Sequence, residues 1–368
     1  MTYQRIVVKL GTSTLTDGAP QISQPRLVDL VRQMASLRSQ GMELFLVTSG
    51  AMAVGRACLN FPRLPKDIPA KQMLAAVGQP RLMALYEQLF GLYGLTVAQV
   101  LLTRTDLSER RSYLNSRNTL TALILQGVIP IINENDTVAT EEIRVGDNDN
   151  LSALVANLIE ADLLVMLTDQ PGLFTADPRI DPEAKLIKEI GEPEIPEALW
   201  RAAGGAGNGL GTGGMTTKLQ AADLARRSGA MVVIAKGSDP DVLVKIASGM
   251  SIGTIFYPID SAVEGRKRFI LAGRRASGRI YVDNGAIQAL QRGGSLLAVG
   301  IVKVEGIFDR GDSVQVSAPN GQEIARGLVN YAAPDLDRIR GRQSEEIESI
   351  LGFAYGDEVI HRNNMVIL

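Results

Sequence analysis

Apolar residues come in short continuous runs along the first two thirds of the chain, and each run breaks into a polar or glycine-containing turn. Tyr3 to Leu10 (YQRIVVKL), Glu43 to Thr48, Leu95 to Leu102, Val128 to Asn133, Asp162 to Thr168 and Met231 to Ala235 read as buried strands. Helical patterns separate them, one of them running from Gln24 to Gln40. Strands alternating with helices predict an α/β domain built on a mostly parallel open sheet sandwiched by helices. In such sheets ligands sit beyond the carboxyl ends of the strands. Most of those ends are polar here: Lys9-Leu10-Gly11, Thr48-Ser49-Gly50, Asn133-Glu134-Asn135-Asp136 and Thr168-Asp169.

After about Tyr257 the pattern changes. Ser261 to Ser277 is rich in Arg and Lys with glycine breaks, and short alternating strands follow at Gly278 to Val282, Ala298 to Glu305, Ser313 to Ser317 and Ala325 to Val329. Turn signals at Asp283-Asn284-Gly285, Arg310-Gly311-Asp312 and Pro319-Asn320-Gly321 make this a small β-rich barrel. The predicted organisation is an α/β domain over residues 1–260, a linker over 261–275, a β domain over 276–354 and a C-terminal tail over 355–368.

The length of 368 residues suits about two domains, and 45% hydrophobic with 21% charged residues is ordinary globular composition. A net charge of −2 supplies no long-range attraction for nucleic acid or an anionic membrane, so any bound anion must be held by local groups. The single cysteine, Cys58, fits a reducing cytosol, and the N-terminus lacks a signal-peptide pattern. The only histidine is His361, which argues against a histidine-based triad or a multi-histidine metal site.

Two stretches carry candidate chemistry. Val145 to Leu151 (VGDNDNL) sets two Asp and two Asn after a glycine, just where an apolar helical pattern begins at Leu151, Leu154, Val155 and Leu158. Asp147 or Asn148 can cap that helix, but one such residue suffices, and a helix N-terminus also receives bound anions. Gly204 to Lys218 (GGAGNGLGTGGMTTK) runs into a helix expected from Thr216 or Thr217 to Ser228, the form of a phosphate cradle rather than a flexible linker. It is not a Walker A loop, because Lys218 lies four residues beyond Gly214. No GxGxxG with an acidic partner follows the first strand. Two lysines, Lys9 and Lys218, with two glycine turns and an Asp indicate phosphoryl transfer, which relies on positioning and cations. A carboxylate acceptor, with a pKa of about 4.3, is already ionised at neutral pH and needs no general base.

VVKLGTS (Val7 to Ser13), TSGA (Thr48 to Ala51), INEND (Ile132 to Asp136), VGDNDNLSA (Val145 to Ala153), LTDQ (Leu167 to Gln170) and GLGTGGMTTK (Gly209 to Lys218) resemble, in order and spacing, the amino acid kinase family in its glutamate-phosphorylating branch. Ala276 to Ala354 resembles the PUA domain appended there. The resemblance implies ATP-dependent phosphorylation of the side-chain carboxylate of L-glutamate to L-glutamyl 5-phosphate, the first step of proline synthesis. Carried onto matching positions, Lys9 and Lys218 would neutralise the moving phosphoryl group, and Asp149 would hold both ammonium groups in place. ATP would contact Lys9, Gly11, Thr168, Asp169, Thr212, Gly213, Gly214, Met215, Thr216, Thr217 and Lys218. Glutamate would be bound by Ser49, Gly50, Asp136 and Asn148, with the Asp136 carboxylate facing its ammonium. Magnesium would arrive with the nucleotide, held by phosphate oxygens and water, with no protein metal ligand. Proline as feedback inhibitor, a homo-oligomer and a cytoplasmic location are further implications.

Thr137 to Val145 alternates, carries Glu141 and Glu142, and is a candidate hairpin flanking the substrate. Kinases acting on N-acetylglutamate, aspartate, carbamate or a nucleotide would share the phosphate elements, so INEND and Asn148 carry the discrimination. RNA binding through the β domain is the alternative of a different class. Residues 276–354 hold eight Arg or Lys against ten Asp or Glu, and Arg266-Lys267-Arg268 with Arg274-Arg275 is the available basic patch.

Overall fold

The computed structural model describes residues 3–65, 67–139, 148–178, 180–204, 213–259 and 276–368. The predicted linker and its Arg and Lys runs lie outside them. Contacts divide the chain into two units, one of residues 1–108 with 116–262 and one of residues 109–115 with 263–368.

The first unit is built on an eight-stranded sheet. Its strands are β1 (Arg5–Leu10), β2 (Glu43–Thr48), β3 (Val97–Leu102), β4 (Ile129–Glu134), β5 (Leu163–Thr168), β6 (Glu189–Ile190), β7 (Met231–Lys236) and β8 (Thr254–Phe256), in the order β3-β4-β2-β1-β5-β7-β8-β6. Every pairing is parallel except that of β7 with β8. The expected mostly parallel α/β sheet is therefore present, with two short strands at one edge that the apolar pattern did not reveal. β1 lies between β2 and β5, which explains a continuous apolar run rather than an alternating one: Ile6, Val7, Val8 and Leu10 are all buried. Chain order leaves β1 toward β2 on one side and later returns as β5 on the other. This reversal opens a crevice at the carboxyl ends of β1, β2 and β5.

Among the helices are α1 (Thr12–Thr16), α2 (Gln24–Ser39), α3 (Ala51–Cys58) and α4 (Ile68–Gly91). α2 turns Leu27, Leu30, Val31, Met34 and Leu37 inward at helical spacing. Each such side chain withdrawn from water contributes roughly 1.5–3 kcal/mol. α4 is started by the Asp67 carboxylate, which accepts from the Ala70 N–H at 2.9 Å. Its buried stripe includes Leu74, Gly78, Leu82 and Phe90 but also two polar tips, Gln79 and Tyr86. α3 and α4 touch backbone to backbone: a Cβ on Gly55 would stand 1.9 Å from the Leu74 carbonyl oxygen, and one on Gly78 would stand 1.8 Å from that of Ala51.

The second unit has a five-stranded sheet in the order β11-β9-β12-β13-β15 and a two-stranded pair, β10 with β14. These are β9 (Gly278–Val282), β10 (Leu296–Leu297), β11 (Ile301–Gly306), β12 (Ser313–Ser317), β13 (Glu323–Leu328), β14 (Glu358–Ile360) and β15 (Met365–Ile367). The four expected strands are present with ends shifted by up to three residues. The predicted tail is corrected: residues 358–360 and 365–367 pair with strands of this unit, and Val359, Ile360 and Met365 enter its core. A three-residue strand falls below the length at which alternation shows in sequence.

Candidate active site

Three side chains far apart in sequence meet at one carboxylate. Lys9 is the penultimate residue of β1, Asp149 the second residue of the helix Asn148–Leu158, and Lys218 lies in the second turn of the helix Gly213–Arg227. Lys9 Nζ is 2.6 Å from Asp149 Oδ1, and Lys218 Nζ is 3.0 Å from Asp149 Oδ2. Side-chain exposure is 6% for Lys9, 5% for Asp149 and 11% for Lys218, so little water screens the charges. The Thr217 hydroxyl donates to the same Oδ2 at 2.8 Å, and Lys218 Nζ also donates to the Gly214 carbonyl at 3.1 Å. Burial alone would push the Asp149 carboxyl up. The charges of Lys9 and Lys218 and the hydrogen bonds from Lys9 and Thr217 outweigh it and hold the group at about 2. Two ammonium groups and one carboxylate sum to +1, a charge that an anionic ligand balances at low dielectric.

Glycine matters locally. A Cβ on Gly11 would lie 3.3 Å from Lys9 Nζ and crowd the ammonium. Gly50 precedes α3 with φ of 100°, a left-handed conformation open mainly to glycine.

Lys218 lines a cavity together with Ser13, Thr168, Asp169, Gly214 and Met215, while Leu173, Phe174 and Ala202 supply an apolar wall. A cavity with one apolar side and a cationic end has the character of a nucleotide site. Thr168 Oγ1 donates to Asp169 Oδ1 at 3.0 Å. The glycine segment differs from its sequence reading. The helix begins at Gly213 rather than at Thr216 or Thr217, so Gly213 to Lys218 form its opening turns. Glycine lowers helix propensity, which hid the start, but N-terminal residues need satisfy fewer intrahelical bonds. The Thr216 hydroxyl donates to the Ala203 carbonyl at 2.7 Å, so both threonines of this segment spend their hydroxyls inside the protein. Thr212 lies outside the described residues, as do Asp147, Glu141, Glu142 and residues 140–145 of the candidate hairpin.

The other half of the crevice is polar. Asn148 Nδ2 is 2.7 Å from the Thr48 carbonyl, 3.0 Å from Ser49 Oγ and 2.9 Å from Asn133 Oδ1. Ser49 and Asn148, 99 residues apart in sequence, are thus in contact. Thr48 Oγ1 and the buried Tyr86 hydroxyl are 2.7 Å apart. Asp136 follows β4 by two residues, and burial pushes its carboxyl up to about 6. Sequence reasoning missed Ser13 as a cavity residue, Thr217 as a partner of Asp149, and Gln79 and Asn133 behind Asn148. Ser13, Thr217 and Asn133 lie in the quoted motifs VVKLGTS, GLGTGGMTTK and INEND, whereas Gln79 had no signal.

A fold and site of this kind define a phosphotransferase that handles small anionic acceptors, and the sequence comparisons agree with it. The model of the amino acid kinase family matches residues 4–236 and that of the PUA domain residues 278–351. The chain belongs to the amino acid kinase family. It is 54% identical over 367 residues to a glutamate 5-kinase of Shewanella amazonensis, covering 100% of this chain and 96% of that one. Against glutamate 5-kinases of Photobacterium profundum and Herpetosiphon aurantiacus the identity is 55%, covering 99% of this chain and 96% and 98% of theirs. A UMP kinase structure from Bacillus anthracis superposes with a TM-score of 0.48 at 16% identity, covering 71% of this chain and 98% of that one. No helix among the described residues is long and apolar enough to cross a membrane.

Proposed function

We propose that this chain transfers the γ-phosphoryl group of ATP to the side-chain carboxylate of L-glutamate, producing L-glutamyl 5-phosphate and ADP, the first step of proline synthesis. The observation that carries this reading is the convergence of Lys9 and Lys218 on Asp149, with Lys218 also lining the cavity. A glutamate carboxylate oxygen attacks the γ-phosphorus as the bond to the ADP oxygen breaks. No proton moves, because the acceptor is already ionised. Lys9 and Lys218 take up the charge spreading over the transferred oxygens, and Asp149 keeps the two cations from repelling each other out of place.

The nucleotide lies along Gly11, Thr168, Asp169 and the helix start at Gly213 to Lys218, where unpaired N–H groups face its phosphates. Ser49, Gly50, Asp136 and Asn148 hold glutamate, with the ionised Asp136 paired to its ammonium. Both oxygens of Asp149 are engaged by the lysines and Thr217, so magnesium entering with ATP would be held by phosphate oxygens and water. The ion supplies further charge neutralisation on the phosphates.

The test is ADP release by the full chain with glutamate, N-acetylglutamate, aspartate, carbamate and UMP, with hydroxylamine trapping of the acyl phosphate. Glutamate should be the preferred acceptor by a wide margin, and preference for any of the others refutes the reading. Added proline should lower the glutamate-dependent rate, and a rate indifferent to proline removes the feedback role.

A further inference from the structure

We infer that a directional chain of four side-chain amides, Gln99, Gln79, Asn133 and Asn148, sets the donor and acceptor pattern that selects an acceptor bearing a free ammonium, with Gln79 as a positioning residue. The inference rests on the glutamate reading above and concerns how that substrate is recognised.

Side-chain amides can usually be turned end for end without visible consequence. Here two backbone groups forbid it. The Thr48 carbonyl can only accept, so the end of Asn148 that meets it at 2.7 Å is the nitrogen. The Glu134 N–H can only donate, so the end of Asn133 that receives it at 2.9 Å is the oxygen. That oxygen also accepts from Asn148 Nδ2 at 2.9 Å, which fills both its lone pairs. Asn133 must therefore offer its nitrogen to Gln79, and Gln79 Oε1 accepts it at 2.8 Å. Gln79 is left with Nε2, which donates to Gln99 Oε1 at 3.1 Å. Polarity runs one way from the protein surface, where Gln99 is exposed, to the crevice.

Two consequences reach the substrate. The two protons of the Asn148 nitrogen serve the Thr48 carbonyl and Asn133 Oδ1, with Ser49 Oγ the longest of three contacts, so the group Asn148 has left is its carbonyl oxygen, an acceptor. Ser49 Oγ is 3.0 Å from Asn148 Nδ2, and because an amide nitrogen cannot accept, the Ser49 proton is left to be donated elsewhere. Together with the Asp136 carboxylate, the site presents one hydroxyl donor and two acceptors. A free α-amino acid supplies their complements, a carboxylate for Ser49 and an ammonium for Asn148 and Asp136. Glutarate has no donor for the acceptors, and an N-acylated glutamate has a single uncharged N–H. Either leaves at least one of the two acceptors, the buried Asn148 oxygen or the partly buried Asp136 carboxylate, unpaired, which penalises the wrong substrate more than a lost contact does.

α4 supplies the control point. It crosses α3 through Gly55 and Gly78 without intervening side chains, which places the next residue, Gln79, behind β4. Removing the Gln79 acceptor leaves the buried Asn133 nitrogen without its partner, so Asn133, and through it Asn148, is held less firmly in the orientation that the backbone groups set.

The test compares Gln79→Met, which fills the space without an acceptor, with Gln79→Glu, which keeps the acceptor toward Asn133 while the exposed Gln99 turns to donate. Steady-state constants are measured for ATP, glutamate and glutarate. Gln79→Met should raise KM for glutamate roughly tenfold, the worth of one lost hydrogen bond, and narrow the preference for glutamate over glutarate by a similar factor. Its kcat and KM for ATP should stay within about twofold. Gln79→Glu should restore both glutamate quantities. Equal damage by the two variants, or a rise in both KM values together, reduces Gln79 to packing and overturns the inference. If Gln79→Met does not fold, Gln99→Leu at the outer end should shift the same ratio in the same direction, and an unchanged ratio overturns it. Wild type run alongside separates the two levels: absence of glutamate turnover sinks the functional reading, whereas normal turnover with an indifferent Gln79→Met sinks only the amide chain.

Discussion

Replacing Asp136 by Asn should stabilise the folded chain at neutral pH while weakening its hold on glutamate. Burial raises this carboxyl from its ordinary 3.8 to about 6. Over that interval the folded chain keeps a proton that the unfolded chain has released, so stability falls as pH rises from about 4 to about 6 and the deficit is complete at pH 7. The shift corresponds to about 3 kcal/mol at roughly 1.4 kcal/mol per pH unit. Because the group is partly exposed, solvent screening reduces this to about 1–2 kcal/mol. Asn occupies the same space without the charge and so removes the deficit. The chain has one tryptophan, Trp200, in the first unit, so its fluorescence in urea reports the unfolding of that unit alone. Asp136→Asn should raise the urea midpoint at pH 7 by the equivalent of about 1–2 kcal/mol and leave it unchanged near pH 4. If glutamate needs the ionised carboxylate, its KM in the wild type should climb about tenfold between pH 7 and pH 5. A gain of stability that is the same at both pH values would trace the effect to packing, and a flat KM profile would remove Asp136 from the substrate site.

Lys218→Ala should lower kcat by about 10²-fold or more with a smaller change in glutamate KM, since a transition-state cation is lost; single-turnover measurement that shows full chemistry would refute its role. Thr217→Val deletes the hydroxyl on Asp149 and should lower kcat by about tenfold while leaving KM for ATP unchanged, whereas a rise in that KM would return Thr217 to the nucleotide. The carboxyl of Asp149, held at about 2, contributes stability that is complete above about 4 and is lost as pH falls toward 2. Urea midpoints should therefore drop by the equivalent of about 2 kcal/mol more in the wild type than in Asp149→Asn across that window, and parallel profiles would contradict the pairing with the lysines.

Local patterns were enough for the layered sheet. A strand buried on both faces must be apolar throughout, as Ile6 to Val8 and Leu163 to Leu167 are, and a helix packed on a sheet must repeat its apolar face, as Leu27 to Leu37 does. Lys9 and Lys218 were also legible as candidates, because an ionisable residue at the end of an apolar strand or after a glycine-rich turn has few structural reasons to be there, whereas Asp149 was singled out by the family resemblance. The sequence was silent where the partner lies across the fold. Gln79 sits in an ordinary helical stretch, and Thr217 looks like a cap. The strand at residues 365–367 is too short to carry a period.

What the chain determined by itself was the alternation of elements, the place of the crevice and the kinds of groups brought to it. Only the tertiary structure decided which of those groups touch. Ion pairs and hydrogen bonds are satisfied over about 3 Å, whereas sequence spacing says nothing about closeness between residues 9, 149 and 218, or between 79, 133 and 148. The direction in which each amide points follows from backbone groups on strands that become neighbours only when the sheet closes.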